Sequence, residues 1–430
     1  MLERLFQLNA HNTTVRTEVL AGVTTFLTMA YILFVNPNML AETGMDHGAV
    51  FVATCLAAAI GSLVMGLLAN YPIALAPGMG LNAFFTYTVV MTMGYSWQTA
   101  LGAVFLSGVI FFLLSIFRIR EWIINSIPLA LRAGIAAGIG LFLAIIALKN
   151  AGIVVDHPAT LVGLGDMSKG GALLACLGFF VIAALAYRKV TGAVMIGILL
   201  VTGLSIALGL SELPGVVSMP PSLMPTLLQL DIAGALDIGL VSVIFAFLFV
   251  DLFDTSGTLV GVAQKADLLD KDGKMPRLGR ALLADSTATM AGAALGTSTT
   301  TSYIESAAGI SAGGRTGLTA CVVAALFLLS LFFAPLAGSV PAYATAPALL
   351  FVAVLMMSSL AQIDWDDLTV AAPVVVAALA MPLTFSIANG IAFGFIAWTG
   401  IKLLSGRARE LNAAMWVLSA LFIVKLAYFA

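Results

Sequence analysis

Three acidic residues interrupt stretches of this chain that are otherwise apolar: Asp251 and Asp254 in FAFLFVDLFDTSGTLVG, and Glu305 in GTSTTTSYIESAAGI. An ionisable group at membrane depth costs about 3 kcal/mol even on lenient insertion scales, so such groups mark a substrate or proton path and point to a transporter. Asp251 precedes Asp254 by three residues, which puts both on one helical face. Two carboxylates that close need not both be ionised, and one of them is a proton-site candidate. The competing explanation for Asp254 and Glu305 is structural, a carboxylate that caps a neighbouring helix end.

Such groups need elements that open a polar place inside a membrane, and two segments are built for that. YPIALAPGMGLNAFFTYTVV carries Pro72, Pro77, Gly78 and Gly80, which predict no regular helix before about Asn82. GTSTTTSYIESAAGISAGG is a hydroxyl-rich, β-branched run that predicts a short helix beginning near Ser302. Each reads as an extended piece followed by a half-helix. Broken spans survive in a bilayer only where the freed backbone groups face protein or a polar cavity. The half-helix N-termini then direct N–H groups and positive dipole ends towards a ligand near the midplane. A proline and glycine kink used only for packing is the alternative for the first segment, and its recurrence in the second weakens that alternative.

Composition fixes the class. The chain is 61% hydrophobic and 9% charged over 430 residues, with a mean hydropathy of +1.09, which describes a polytopic membrane protein with no large soluble domain. MLERLFQLNAHNTTVRTEVLAG lacks the apolar region and small-residue site of a cleaved leader, so the first span is expected to stay. Cys55, Cys176 and Cys321 lie singly in apolar runs and read as small buried core residues, not as metal ligands. With a net charge of -2 and no basic tail, nucleic acid is not an expected partner.

Spans are expected at 17–38, 48–69, 73–92, 97–117, 128–149, 171–187, 190–211, 238–262, 281–296, 299–314, 317–335, 342–360, 368–386 and 388–405, with a further apolar segment at 413–429. Basic residues follow the even-numbered spans: Arg118 and Arg120, Arg188 and Lys189, Lys265 to Arg280, then Lys402, Arg407 and Arg409; Arg315 lies after the tenth. Loops 212–237 and 335–341 have almost none, which predicts a cytoplasmic N-terminus. The polar connector QKADLLDKDGKMPRLGRALLADS divides the chain near its middle. Ser126-Ile127-Pro128 and Ser339-Val340-Pro341 stand 213 residues apart, close to half the length. Seven spans per half is an odd number, so the halves are expected to be inverted repeats.

Pro77-Gly78-Met79-Gly80-Leu81-Asn82-Ala83-Phe84-Phe85, Phe253-Asp254-Thr255-Ser256-Gly257-Thr258-Leu259, and Tyr303-Ile304-Glu305-Ser306-Ala307-Ala308-Gly309 with Gly313-Gly314-Arg315-Thr316-Gly317 resemble the AzgA-like purine permeases, a branch of the nucleobase-cation symporter-2 or nucleobase-ascorbate superfamily. The resemblance begins at Thr13-Thr14-Val15-Arg16-Thr17-Glu18 and covers essentially the whole chain. It implies an all-α fold of about fourteen transmembrane segments in two inverted seven-span repeats. A core domain would take 17–117 and 238–335, and a gate domain 128–211 and 342–405. The 413–429 segment lies beyond that plan. The resemblance further implies a multi-pass protein of the cytoplasmic membrane that takes up a purine base with protons, often as a homodimer, with no cofactor beyond the coupling proton.

By the same resemblance, Glu305 and Asp254 hold the substrate, and a carboxylate at Glu305 is able to accept two N–H bonds from one purine edge. Asn82 and backbone N–H groups near Ala83 pair with ring acceptors, Phe84, Phe253 or Tyr303 supply a stacking face, and Ser306 adjoins the site. Asp254, Glu305 and Asp251 share the coupling proton. Thr258 stands where uracil-type relatives carry a histidine, so no histidine relay transfers to this chain. Asp251, where adenine-type members often have Asn, leans the expected substrate towards hypoxanthine and guanine. Two rival classes fit less well. Asp254-Thr255-Ser256-Gly257 resembles an aspartic-protease loop and Gly309-Ile310-Ser311-Ala312-Gly313 formally matches a serine elbow, but neither has the partners an intramembrane protease needs. An anion carrier of the same inverted-repeat fold would place its ligand against the negative charge of Glu305.

Overall fold

The computed structural model describes residues 2–116, 127–265, 268 and 275–428. Phe117, Arg118, Arg120, Ser126, Lys271, Lys274 and Phe429, which bear on the expected spans and orientation, lie outside the described residues.

Among the described residues, most of the apolar runs are helical. α1 (Val15–Met29) and α2 (Ile32–Ala41) form the first crossing, and α3 (His47–Val64) continues through a π-helical turn, Met65–Ala69. Then come β1 (Leu75–Pro77), α4 (Met79–Ala83) with a π-helical extension Phe84–Thr92, α5 (Trp97–Ile116) and α6 (Leu129–Asn150). A hairpin of β2 (Val154–His157) and β3 (Leu161–Leu164) leads to α7 (Gly170–Tyr187) and α8 (Ala193–Ala207). The second half contains α9 (Ile238–Lys265), α10 (Leu278–Leu295), β4 (Thr300–Ser302), α11 (Ser306–Ser311), α12 (Gly317–Ser330), α13 (Ala342–Met357), α14 (Leu368–Leu383), α15 (Ile387–Leu404) and α16 (Ala413–Tyr428). Among the described residues, eight helical stretches are long and apolar enough to cross a membrane, including Val15–Ala41 and His47–Ala69.

Local chemistry explains the ends. The side chains of Thr14, Asp46, Asp367 and Ser386 accept from the backbone N–H of Thr17, Ala49, Thr369 and Asn389, satisfying donors that a helix start leaves open. Gly296 closes α10 at φ +99°, a conformation that costs glycine nothing.

Two groups of helices pack among themselves. α6 lies against α13 and α14, α14 against α15, and α7 against α8 and α13. α3 lies against α2, α10 and α12, α5 against α9 and α10, and α1 against α11 and α12. Very close approach marks the second group: a Cβ at Gly317 would collide with the backbone of Gly66, so only glycine permits that crossing. α16 packs on α15, where the Ser419 hydroxyl bonds the Thr399 hydroxyl at 2.7 Å and the Phe395 carbonyl at 3.0 Å.

Several expectations need correction. The first crossing is one helical stretch, Val15–Ala41, longer than expected and tightened at Ala30 and Tyr31 by bonds from Leu33 N to Ala30 O (3.1 Å) and Phe34 N to Tyr31 O (3.0 Å). The half-helix of the third crossing starts at Met79, not near Asn82, since Pro77 sits in the strand and Gly80 is tolerated inside the first turn. That of the tenth starts at Ser306, not near Ser302, because Thr300–Ser302 are held in a strand pair. The exposed 154–164 hairpin is a further departure, arising from a run with too little alternation to announce strands. Cys55 is buried, but Cys176 and Cys321 are only half-buried.

Candidate functional site

The site is built where the two broken crossings meet. β1 and β4 pair antiparallel in the register Leu75 to Ser302, Ala76 to Thr301 and Pro77 to Thr300. Each strand is too short to stand alone, and buried backbone groups must find partners. The Gly78 N–H donates to Thr299 O (2.9 Å), Tyr303 N–H to Ala74 O (3.0 Å), Ala74 N–H to Ser306 Oγ (3.0 Å) and Leu75 N–H to Ser62 Oγ (2.9 Å). The Thr289 hydroxyl donates to Thr300 O (2.9 Å), and the Tyr303 hydroxyl to Pro77 O (2.5 Å). The hydroxyl-rich sequence thus serves the extended backbone that it creates.

Glu305 occupies the N-cap position of α11 and is half-buried. Its Oε1 accepts a 2.5 Å hydrogen bond from the hydroxyl of Tyr31, and its backbone carbonyl accepts from Thr28 Oγ1 at 3.4 Å. Asp254, half-buried on α9, lies within electrostatic reach of Glu305, and both carboxylates act on Tyr31 and Tyr303. Tyr31 and Glu305 are in direct contact, and Asp254 and Tyr303 lie within electrostatic reach of that pair.

Asn82, fully buried on α4, accepts from the Ser298 hydroxyl at 2.6 Å through Oδ1, while its Nδ2 has no hydrogen-bond partner among the described residues. A buried amide donor without a partner costs about 1–3 kcal/mol, a penalty a fold retains where a ligand acceptor removes it. Ala83 is buried beside it, and Phe84 is buried with its ring edge-on to Phe247 at 5.0 Å. The side chain of Phe253 lies outside the described residues. Tyr303 and Ser306 are engaged with Pro77 and Ala74, so both hold the half-spans together.

Asp251 belongs to a second polar network. Thr255 Oγ1 lies 3.3 Å from Asp251 Oδ1, 2.9 Å from Asp285 Oδ1 and 2.7 Å from Thr301 Oγ1, and the Ser302 hydroxyl reaches Asp285 Oδ1 at 3.3 Å. Asp285, fully buried on α10, was missed by the sequence reasoning. Its signal was available, since Asp285 in ALLADSTATM is an acid in an apolar run like Asp254. Tyr31 was also missed, and an aromatic residue in an apolar run gives no local signal. A third buried acid, Glu18, plays a structural part. Its carboxylate accepts from Arg315 N (2.9 Å), Thr316 N (3.2 Å) and Thr319 Oγ1 (2.6 Å), capping the start of α12.

The pair of Glu305 with Asp254 within its electrostatic reach follows the Leu75/Ser302 end of the strand pair, and the buried Asn82 amide stands beside Ser298 at the Pro77/Thr300 end. Residues 16–393 match the Permease family, Xan_ur_permease. The chain is 53% identical over 428 residues to the adenine permease AdeP of Escherichia coli K12, covering 100% of this chain and 96% of that protein. It is 47% identical over 440 residues to the guanine/hypoxanthine permease PbuG of Bacillus subtilis 168, covering 100% and 99%. Its fold is similar to the transmembrane domain of a cyanobacterial bicarbonate transporter, BicA, with a TM-score of 0.67 at 15% identity over 87% of this chain and 96% of that one. The fold is accordingly that of the inverted-repeat transporters, with short strands inside a helical membrane protein.

Proposed function

Because this chain belongs to the nucleobase-ascorbate transporter family of permeases, which is not an enzyme family, we propose that it takes up purine nucleobases across the cytoplasmic membrane, coupled to protons. The observation that carries this reading is the pairing of β1 with β4, which sets the half-helices that bear Asn82 and Glu305 beyond its two ends, with Asp254 within electrostatic reach of Glu305. Glu305 accepts N–H groups from one edge of the base, and the Asn82 amide donates to a ring nitrogen. Both adenine and guanine/hypoxanthine permeases are among the similar proteins, which supports a purine as the substrate.

In this reading α1–α5 with α9–α12 form the core domain, and α6–α8 with α13–α15 the gate domain. The base and a proton held among Asp254, Glu305 and Asp251 pass between them by alternating access. Neutralising a buried carboxylate removes much of the cost of moving it through low dielectric, so the loaded site crosses more easily than the empty charged one. The N-terminus is on the cytoplasmic side, and the protein is a homodimer within lipid. An anion carrier is disfavoured: the likeness to a bicarbonate transporter at 15% identity concerns the fold alone, and a carboxylate stands where the anion would bind.

The test is uptake of labelled hypoxanthine, guanine, adenine and uracil into purine-transport-deficient cells expressing the chain, with and without a protonophore. Purine uptake that collapses with the proton gradient is expected. Good membrane expression with no purine uptake overturns the proposal.

A further inference from the structure

From the contact between the first and tenth crossings, we infer that Tyr31 is a positioning residue that sets the substrate-binding orientation of the Glu305 carboxylate. The inference rests on the purine-binding reading of Glu305 given above. Tyr31 sits at the joint between α1 and α2, 2% exposed, where the helical backbone tightens into a single turn of shorter-range bonds. That turn delivers its hydroxyl to Oε1 of a residue 274 positions away, at 2.5 Å. Three residues earlier, the Thr28 hydroxyl bonds Thr25 O (2.8 Å) and Thr24 O (3.2 Å) and reaches Glu305 O (3.4 Å). The first crossing thereby holds both the backbone and the side chain of Glu305.

A glutamate at a helix N-cap has three side-chain torsions to fix, and Glu305 makes no side-chain cap bond to α11 that would fix them. The Tyr31 hydroxyl occupies one lone pair of Oε1 and leaves the other oxygen for the N–H groups of the base. A short hydrogen bond to a carboxylate is the stronger kind, and a pre-oriented acceptor spares the ligand the cost of ordering it. Tyr31 thus contributes to affinity without touching the base. The tightened turn at Ala30 and Tyr31 is the local device that aims it.

Labelled adenine and hypoxanthine binding to the purified full-length chain tests this, with a double-mutant cycle between Tyr31→Phe and Glu305→Gln. Tyr31→Phe removes one oxygen from a packed ring, and its melting temperature checks that the fold is retained. It is expected to weaken binding about tenfold, the scale of one hydrogen bond to a charged group, and to raise KM for uptake with Vmax largely kept. In the Glu305→Gln background the same change is expected to cost much less, because the partner is already altered. Should Glu305→Gln bind too weakly to measure, Glu305→Asp serves as the second background, since its shorter side chain withdraws from Tyr31. Wild-type affinity in Tyr31→Phe, or an equal loss in both backgrounds, overturns the inference. Absence of purine binding by the wild type instead overturns the functional reading on which it rests.

Discussion

The hydroxyl of Thr255 on α9 stands 2.9 Å from the Asp285 carboxylate on α10, and its other contacts reach Asp251 on its own helix and Thr301 in β4. One side chain thus ties two helices and a strand beneath the crossing. Asp285→Ala removes the acceptor that Thr255 and Ser302 share, and a buried polar group left unpaired costs about 1–3 kcal/mol. The expected result is a lower melting temperature in detergent and reduced uptake. Asp285→Asn, which keeps an acceptor oxygen, is expected to lose less of both.

Glu305→Ala is expected to abolish purine uptake, since it deletes the carboxylate acceptor. Glu305→Gln keeps one acceptor oxygen but cannot take up a proton, so some binding should persist while proton-driven accumulation is lost. Uptake with and without a protonophore measures the difference. Accumulation by Glu305→Gln that matches wild type and keeps its pH dependence contradicts the coupling role.

Gly80 faces Ile139 on α6 so closely that an added Cβ would lie 2.5 Å from Ile139 Cγ2. Gly80→Ala should wedge α4 away from α6 and cut the rate of uptake more than it lowers the melting temperature. Ile139→Ala, which clears that space, should restore uptake to the Gly80→Ala protein. Failure of this rescue would mean that the glycine serves something other than the α4/α6 approach.

Tyr87 joins three crossings at one end of the molecule. Its hydroxyl donates to Glu42 Oε1 at 2.8 Å and accepts from Asn150 Nδ2 at 3.4 Å, while Lys149 Nζ sits 5.2 Å from its ring centre. Next to it the Thr88 hydroxyl donates to Phe385 O at 2.6 Å. Tyr87→Phe and Thr88→Val together are expected to loosen this end. Hydrogen exchange should then be faster in residues 84–94 and 148–153, with little change around β1 and β4.

Just before α14, Asp367 accepts from Thr369 and from Arg407 Nη1 (2.6 Å), and Glu410 accepts from Lys402 Nζ (2.7 Å) and Arg407 Nε (2.5 Å). The Thr369 bonds, then Arg407, hold the Asp367 carboxyl well below the usual carboxylate range; Lys402 first, then Arg407, lowers Glu410. A depressed carboxyl stabilises the fold fully above its unfolded value of about 4 and loses that contribution as pH falls through the folded value. The melting temperature should therefore fall on acidification below about pH 5. Arg407→Gln should lower it at neutral pH and flatten that acid dependence, modestly because the groups are partly exposed.

Chemistry that acts over a few residues was legible in the chain itself. Long apolar runs require membrane crossings, the prolines and glycines between Pro72 and Gly80 and the Thr/Ser run at 297–302 prevent continuous helix, and the acids at 254 and 305 are too costly in lipid to be idle. Asp285 was open to the same test. Which groups meet was settled only by the folded packing, because a hydrogen bond between residues 274 positions apart leaves no trace in the spacing of either. That packing joined β1 to β4, whose extended backbones pair with each other and with the hydroxyls of Ser62, Thr289, Tyr303 and Ser306. It engaged Ser306 and Tyr303 with the backbone of the partner half-span and bonded Asp251 to Thr255, and it put Tyr31 on Glu305. It also set α16 against α15, a choice among apolar surfaces that only shape complementarity distinguishes.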